Sequence, residues 1–155
     1  MTEASERDVR PAEPSLGELS FPIEVQIPSD VRYIERVVGI VVQRCAESAL
    51  PPRLCRLNVP VALTEALSNA ILYGNNEDRN KMVRVRALID ERALILEIED
   101  EGEGFDLEES TIDPTSDQNL LREDGRGLYL MRRLMDRVER FSQRGNVIRL
   151  TLHRA

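Results

Sequence analysis

Two runs of alternating character, Val83–Ile89 and Leu94–Asp100, stand on either side of Asp90-Glu91-Arg92. Strand side chains point alternately to opposite faces, so each run carries one aliphatic face and one largely charged face. So short a connection admits only an antiparallel hairpin, because a parallel crossover needs about a dozen residues or more. A sheet begun in this way has an apolar face that the rest of the chain must cover.

The flanking sequence supplies the cover. Phe21 to Ile27 alternates and reads as a strand, with Pro22 at its start or on a sheet edge. Ser29 or Asp30 can cap a helix, and Val31, Ile34, Val38, Val41, Val42 and Cys45 form an apolar stripe that ends before Pro51-Pro52. A second helix is expected from near Asn58, with Pro60 in its first turn, Leu63, Ala66, Leu67, Ala70 and Ile71 inward, and a stop at Gly74-Asn75-Asn76. A third is expected from Gly127 to Val138, with Leu128, Met131, Leu134, Met135 and Val138 inward. A closing hairpin pairs Val138–Ser142 with Val147–Leu152. Residues 1–19 are polar and aperiodic and read as a disordered tail, leaving one domain over 20–155. Residues 107–124 read as a long acidic loop of the kind usually kept for function. Strand, helix, helix, hairpin, loop, helix, hairpin is the order of an α+β two-layer sandwich. The sheet should be mixed but mostly antiparallel, with helices on one face.

Composition removes several kinds of function. With 21 basic and 28 acidic residues the net charge is −7, which argues against nucleic-acid binding. The single histidine, His153, excludes a Cys/His zinc cluster. No run approaches the length of a membrane span, and no signal-peptide core precedes the domain, so a cytoplasmic location is expected. Cys45 and Cys55 fall outside any C-x-x-C motif and read as two buried thiols in a reducing compartment.

Three stretches carry the polar chemistry. Glu65 and Asn69 lie one helical turn apart on a flank of the second helix, where an acid and an amide can hold Mg²⁺ and polarise a hydroxyl. Asp100-Glu101-Gly102-Glu103-Gly104 follows a strand. A carboxylate at a strand end can accept a hydrogen bond from an exocyclic amine such as that of adenine, and the glycines admit a ligand close to the backbone. The stretch does not fit a calcium loop or a Rossmann fingerprint. Gly125-Arg126-Gly127-Leu128 opens the last helix, where free N–H groups and an arginine can hold an anion. Each signal alone is weak.

In this order and spacing they resemble the ATP site shared by gyrase, Hsp-type chaperones, histidine kinases and mismatch-repair proteins, the GHKL-type superfamily with the Bergerat ATP-binding fold. Glu65-x-x-x-Asn69 stands for its N box, and Asp100-x-Gly102-x-Gly104 and Gly125-x-Gly127 for its glycine boxes. The likeness spans residues 20–153 and is greatest to the bacterial anti-sigma-factor serine/threonine kinases. It implies ATP and Mg²⁺ as ligands. Asp100 would hold adenine, Asn69 would ligate Mg²⁺, and Glu65 would be the general base. Gly102, Gly104, Gly125, Arg126, Gly127 and Leu128 would line the nucleotide, with Arg126 also steadying the transferring phosphate. Where many relatives carry a basic residue four positions beyond the asparagine, this chain has Tyr73.

The resemblance implies a kinase that sequesters a sigma factor and phosphorylates a small anti-sigma antagonist protein. A homodimer is compatible with it. The alternative is an ATP-gated binding module with little or no transfer. A histidine-kinase fragment fits poorly, because His153 falls in a predicted strand and no acceptor helix pair is present.

Overall fold

The computed structural model describes residues 22–102, 123–142 and 145–154. The tail 1–19, Gly104 and residues 107–122 of the long loop lie outside the described residues. Strand β1 (Ile23–Pro28) leads into helix α1 (Ile34–Ala46) and helix α2 (Val59–Ser68). Strands β2 (Met82–Ile89) and β3 (Ala93–Asp100), helix α3 (Glu123–Leu134), and strands β4 (Arg137–Ser142) and β5 (Asn146–His153) follow. The sheet order is β1-β2-β3-β5-β4, and all four pairings are antiparallel. This is the expected α+β arrangement, except that the sheet, expected to be mixed, is wholly antiparallel among the described residues.

Registers explain why the helices occupy one face. Ile23 faces Ala87, Ala87 faces Leu96 and Leu96 faces Leu150, so one set of alternating positions forms a continuous aliphatic surface. These residues share a single core with Val37 and Val41 of α1, Leu63 and Leu67 of α2, and Leu128 and Met131 of α3. Burying a side chain of this kind contributes about 1.5–3 kcal/mol, and the core contains no buried tryptophan to do the work of several.

Several expectations need correction. The α1 stripe centres on Val37, Val41 and Cys45, while Val31 is 44% exposed. Val31 sits in a 3₁₀ turn (Val31–Tyr33) whose three-residue period turns it away from the α-helical face. Asp30 caps this turn, accepting the Arg32 N–H at 3.0 Å. Helix α3 starts at Glu123 and ends at Leu134, so Val138 belongs to a strand and the helix begins before the glycines. Cys45 and Cys55 are buried as expected but are not separate thiols: they form a disulfide. Their spacing of ten residues in sequence carries no hint of this. The last turn of α1 and a π-helical segment before α2 (Leu54–Asn58) bring the two sulfurs together.

The opposite face of the sheet carries charge. Arg86 bridges Glu97 at 3.3 Å and Glu99 at 2.9 Å, and Arg149 pairs with Glu97 at 3.0 Å. Glu97 and Arg149 are both nearly inaccessible, and the Arg149 guanidinium lies 5.1 Å from the centre of the Phe141 ring. Removing one partner of a buried pair strands the other charge. Glu97→Ala is therefore expected to lower unfolding free energy by about 3 kcal/mol, read from the urea midpoint.

Candidate functional site

Helix α2 is continued by a second π-helical segment, Asn69–Gly74. Its wider turn is closed by the Asn75 N–H donating to the Ala70 carbonyl at 2.8 Å. Single π turns inside α-helices collect at functional sites, because they re-aim side chains without ending the helix. Here the change of pitch falls between Glu65, in α2, and Asn69, the first residue of the wider turn. Both side chains come up against Gly127 of α3. A methyl group built there would lie 2.8 Å from Glu65 Oε1 and 3.4 Å from Asn69 Nδ2. Glycine at this position lets α3 approach that closely.

A cavity of about 280 Å³ opens at this junction, lined by Glu65, Ser68, Asn69, Tyr73, Arg126 and Leu130, with Leu72 beside them. Asn69 is buried, and its Nδ2 has no hydrogen-bond partner among the described residues. An orphaned buried amide is costly unless a ligand or water satisfies it. Because α3 starts at Glu123, Gly125 and Arg126 fall within its first turn, and Gly127 lies just beyond it.

Asp100 ends β3 and is 8% exposed. Its Oδ1 accepts the Gly102 N–H at 2.8 Å and the Asn146 amide Nδ2 at 3.1 Å. Among the described residues both bonds fall on Oδ1, which leaves Oδ2 as the acceptor for an outside donor. Burial pushes the pKa of this carboxyl above the usual carboxylate range. Those two hydrogen bonds and the Arg140 charge pull the other way, while Glu99 adds to the rise. A methyl group on Gly74 would collide with Asp100 Oδ2, and one on Gly102 would collide with the Gly74 carbonyl. The end of the helical run and the end of β3 thus meet backbone to backbone.

The structure brings the three sequence motifs to one place through two glycine contacts. Gly127 seats α3 on Glu65 and Asn69, and Gly74, five positions after Asn69 on the same run, seats that run on Asp100 and Gly102. Arg126 reaches the cavity. Leu128 does not; it is fully buried in the core. Gly104 lies outside the described residues.

Sequence reasoning took Gly74 only for a helix stop and passed over Asn146. Asn146 faces Asp100 across β3 and β5, donates to the Gly102 carbonyl at 2.7 Å, and accepts from Arg140 Nη2 at 3.2 Å. The available signal was Gly145-Asn146 at the head of the last strand, since a methyl group on Gly145 would collide with the Asp100 carbonyl.

Comparison with known proteins agrees with this arrangement. The description of the histidine kinase-like ATPase domain matches residues 27–152. The chain is 31% identical over 139 residues to the serine-protein kinase RsbW of Bacillus subtilis, covering 83% of each chain. It is 29% identical over 135 residues to the RsbW of Staphylococcus aureus strain Newman, covering 83% of this chain and 84% of the other. With the anti-sigma F factor of Clostridium acetobutylicum it shares 36% identity over 101 residues, 63% of this chain and 69% of that protein. With such a match across nearly the whole described fold, the chain belongs to the histidine kinase-like ATPase domain family.

Proposed function

We propose that this protein is an ATP-dependent serine/threonine kinase that binds a sigma factor and phosphorylates a small antagonist of that sequestration. The observation that carries the reading is the joining of Glu65, Asn69 and Gly127 at one cavity, with Asp100 held against the same helical run. The names of the relatives, serine-protein kinase and anti-sigma F factor, supply the protein partners. A cytoplasmic location follows from this role. Among the described residues no helix is long and apolar enough to cross a membrane.

In this reading Asp100 Oδ2 accepts the adenine amine. Asn69 offers its amide oxygen to Mg²⁺. Nucleotide phosphates and water would supply its other ligands. That is the usual way Mg²⁺ is bound at nucleotide sites. Glu65 takes the proton of the acceptor hydroxyl as its oxygen bonds to the terminal phosphorus. The bond to the bridging oxygen breaks, and ADP leaves. Arg126 opposes the charge on the moving phosphoryl group. Gly102, Gly104, Gly125 and Gly127 give the nucleotide access to the backbone.

A second reading, an ATP-gated binding module with little transfer, is favoured by one feature. Arg126 is the only cationic side chain among the described residues lining the cavity, and Tyr73 lines it where many relatives place a base. A homodimer is compatible with either reading.

Glu65→Gln keeps the shape and removes the base. It should bind ATP as the parent does and lose transfer about 10²–10⁴-fold in a labelled-phosphate assay with the antagonist. Asn69→Ala should weaken nucleotide binding and transfer together. Unchanged transfer by Glu65→Gln would leave the base unassigned, and absence of transfer by the parent would favour the binding module.

Asp100→Asn separates binding from folding. A raised native pKa means that the folded chain holds this proton more tightly than the unfolded chain. The group's contribution is therefore fully present below the ordinary carboxylate value and is lost as pH rises through the native value. At neutral pH without nucleotide, Asp100→Asn should melt at a higher temperature than the parent, and the gap should close below the ordinary carboxylate pKa. ATP affinity by calorimetry should fall by about one to two orders of magnitude, as a lost charge-assisted hydrogen bond implies.

A further inference from the structure

We propose that Cys45 and Cys55 are a redox-active dithiol–disulfide pair whose state sets the rigidity of the segment leading into helix α2. A cystine is not needed to hold a chain of this size together, since small domains use disulfides where the core is too small to suffice. Here twenty-seven buried residues already form one apolar cluster spanning sheet and helices. The bond lies at a particular joint. Cys45 is in the last turn of α1, and Cys55 is in the π-helical segment that runs into α2. In a reducing compartment, a disulfide is usually transient and redox-sensing rather than permanent.

The cover over the bond is a short connection between helices, outside the sheet. Residues 46–54 join the two cysteines, and Ala46, Glu47, Ala49, Pro52 and Arg53 are exposed. The connection's hydrogen bonds are mainly internal, while Leu50 and Leu54 anchor it in the apolar core. The Ser48 hydroxyl donates to the Cys45 carbonyl at 2.6 Å, the Leu50 N–H donates to Ser48 Oγ at 3.1 Å, and the Leu54 N–H donates to the Pro51 carbonyl at 3.0 Å. Cys45 and Cys55, 0% and 2% exposed at rest, are reached by a local opening that lifts Leu50 and Leu54 from the core. Below the joint, Asn58 Nδ2 donates to the Leu134 carbonyl at 2.8 Å, tying the same segment to the end of α3. The bond therefore braces the start of α2, the helix that runs on into Asn69, and Asn58 ties that start to the end of α3, the helix of Gly127.

The exchange balances with a low-molecular-weight disulfide as oxidant. One cysteine thiolate attacks a sulfur of RS–SR, giving a mixed disulfide and one RSH. The second thiolate then attacks the protein sulfur of that mixed disulfide and releases the second RSH. The two thiol protons leave on the two RSH molecules, the cysteines are oxidised and RS–SR is reduced. Excess RSH runs the sequence backwards.

The test uses the intact protein equilibrated with glutathione mixtures from fully reduced to fully oxidised. Rapid alkylation and mass measurement count the free thiols. The expected count swings between two and zero across the series while the chain stays folded. Closing a loop of this size should raise the melting temperature by about 5–10 °C in the oxidised form. Amide exchange over residues 46–58 should quicken on reduction. Two free thiols under excess glutathione disulfide would overturn the proposal. So would a bond that survives excess glutathione in the folded chain, as permanent structural disulfides do. A Cys45→Ala/Cys55→Ala double variant should melt at the same temperature across the series, and an equal shift in variant and parent would also count against the pair. The thiol count of the unaltered chain decides the question even if that variant does not fold.

Discussion

Everything at the site hangs on one place where two backbones touch. Gly74 ends a helical run and meets both the Asp100 carboxylate and Gly102 at the end of β3. A side chain at Gly102 would meet the Gly74 backbone and push the layers apart, and one at Gly74 would displace the Asp100 carboxylate. That contact fixes the height of the run above the strand. It thereby fixes where Asn69 and Glu65, farther up the same run, stand relative to the carboxylate. Asn75 locks the joint from behind: it is fully buried, donates to Ser29 Oγ and to the Met82 carbonyl, and accepts the Glu101 N–H at 2.8 Å. One amide thus ties together the ends of β1, the π-helical segment, β2 and β3.

The polar groups of the site are held at a cost. Asp100 is buried with its charge opposed by desolvation, and Asn69 keeps an unsatisfied amide nitrogen among the described residues. An apolar core of this extent can absorb such terms, which are small beside the total burial it contributes. A ligand that supplies an amine to Asp100 and a partner to Asn69 would remove both penalties together. In the proposed reading the adenine amine meets Asp100 and a phosphate oxygen accepts from Asn69 Nδ2, while the cation takes the amide oxygen, so binding relieves an existing imbalance rather than adding contacts to a satisfied surface.

Much of this was legible in the sequence because it rested on periodicity and spacing. The alternation of Val83–Asp100 and the short turn dictated an antiparallel pair, and Leu63, Leu67, Ala70 and Ile71 were read as inward and are buried. Glu65 and Asn69 were placed on one flank, and they share a cavity. What was missed needed tertiary information. Asn146 gains its role only from its register opposite Asp100. Val31 follows the period of a 3₁₀ turn rather than that of the helix after it. Leu128, read both as inward and as lining the nucleotide, is buried in the core and does not line the cavity. The Cys45–Cys55 bond depends on how α1 and the segment before α2 pack, which no local pattern encodes.

The strand order has a consequence for how the protein is made. β5 lies between β3 and β4, so the sheet has a gap until residues 146–153 have left the ribosome. Before then β3 has an unpaired edge, and Asp100 lacks the Asn146 amide that faces it. The nascent chain can form the β2–β3 hairpin and its helices early, since those contacts are local. It cannot give the Asp100 carboxylate its Asn146 partner until β5 slides into place. The closing of the sheet and the fixing of the Asp100 carboxylate are therefore the same event.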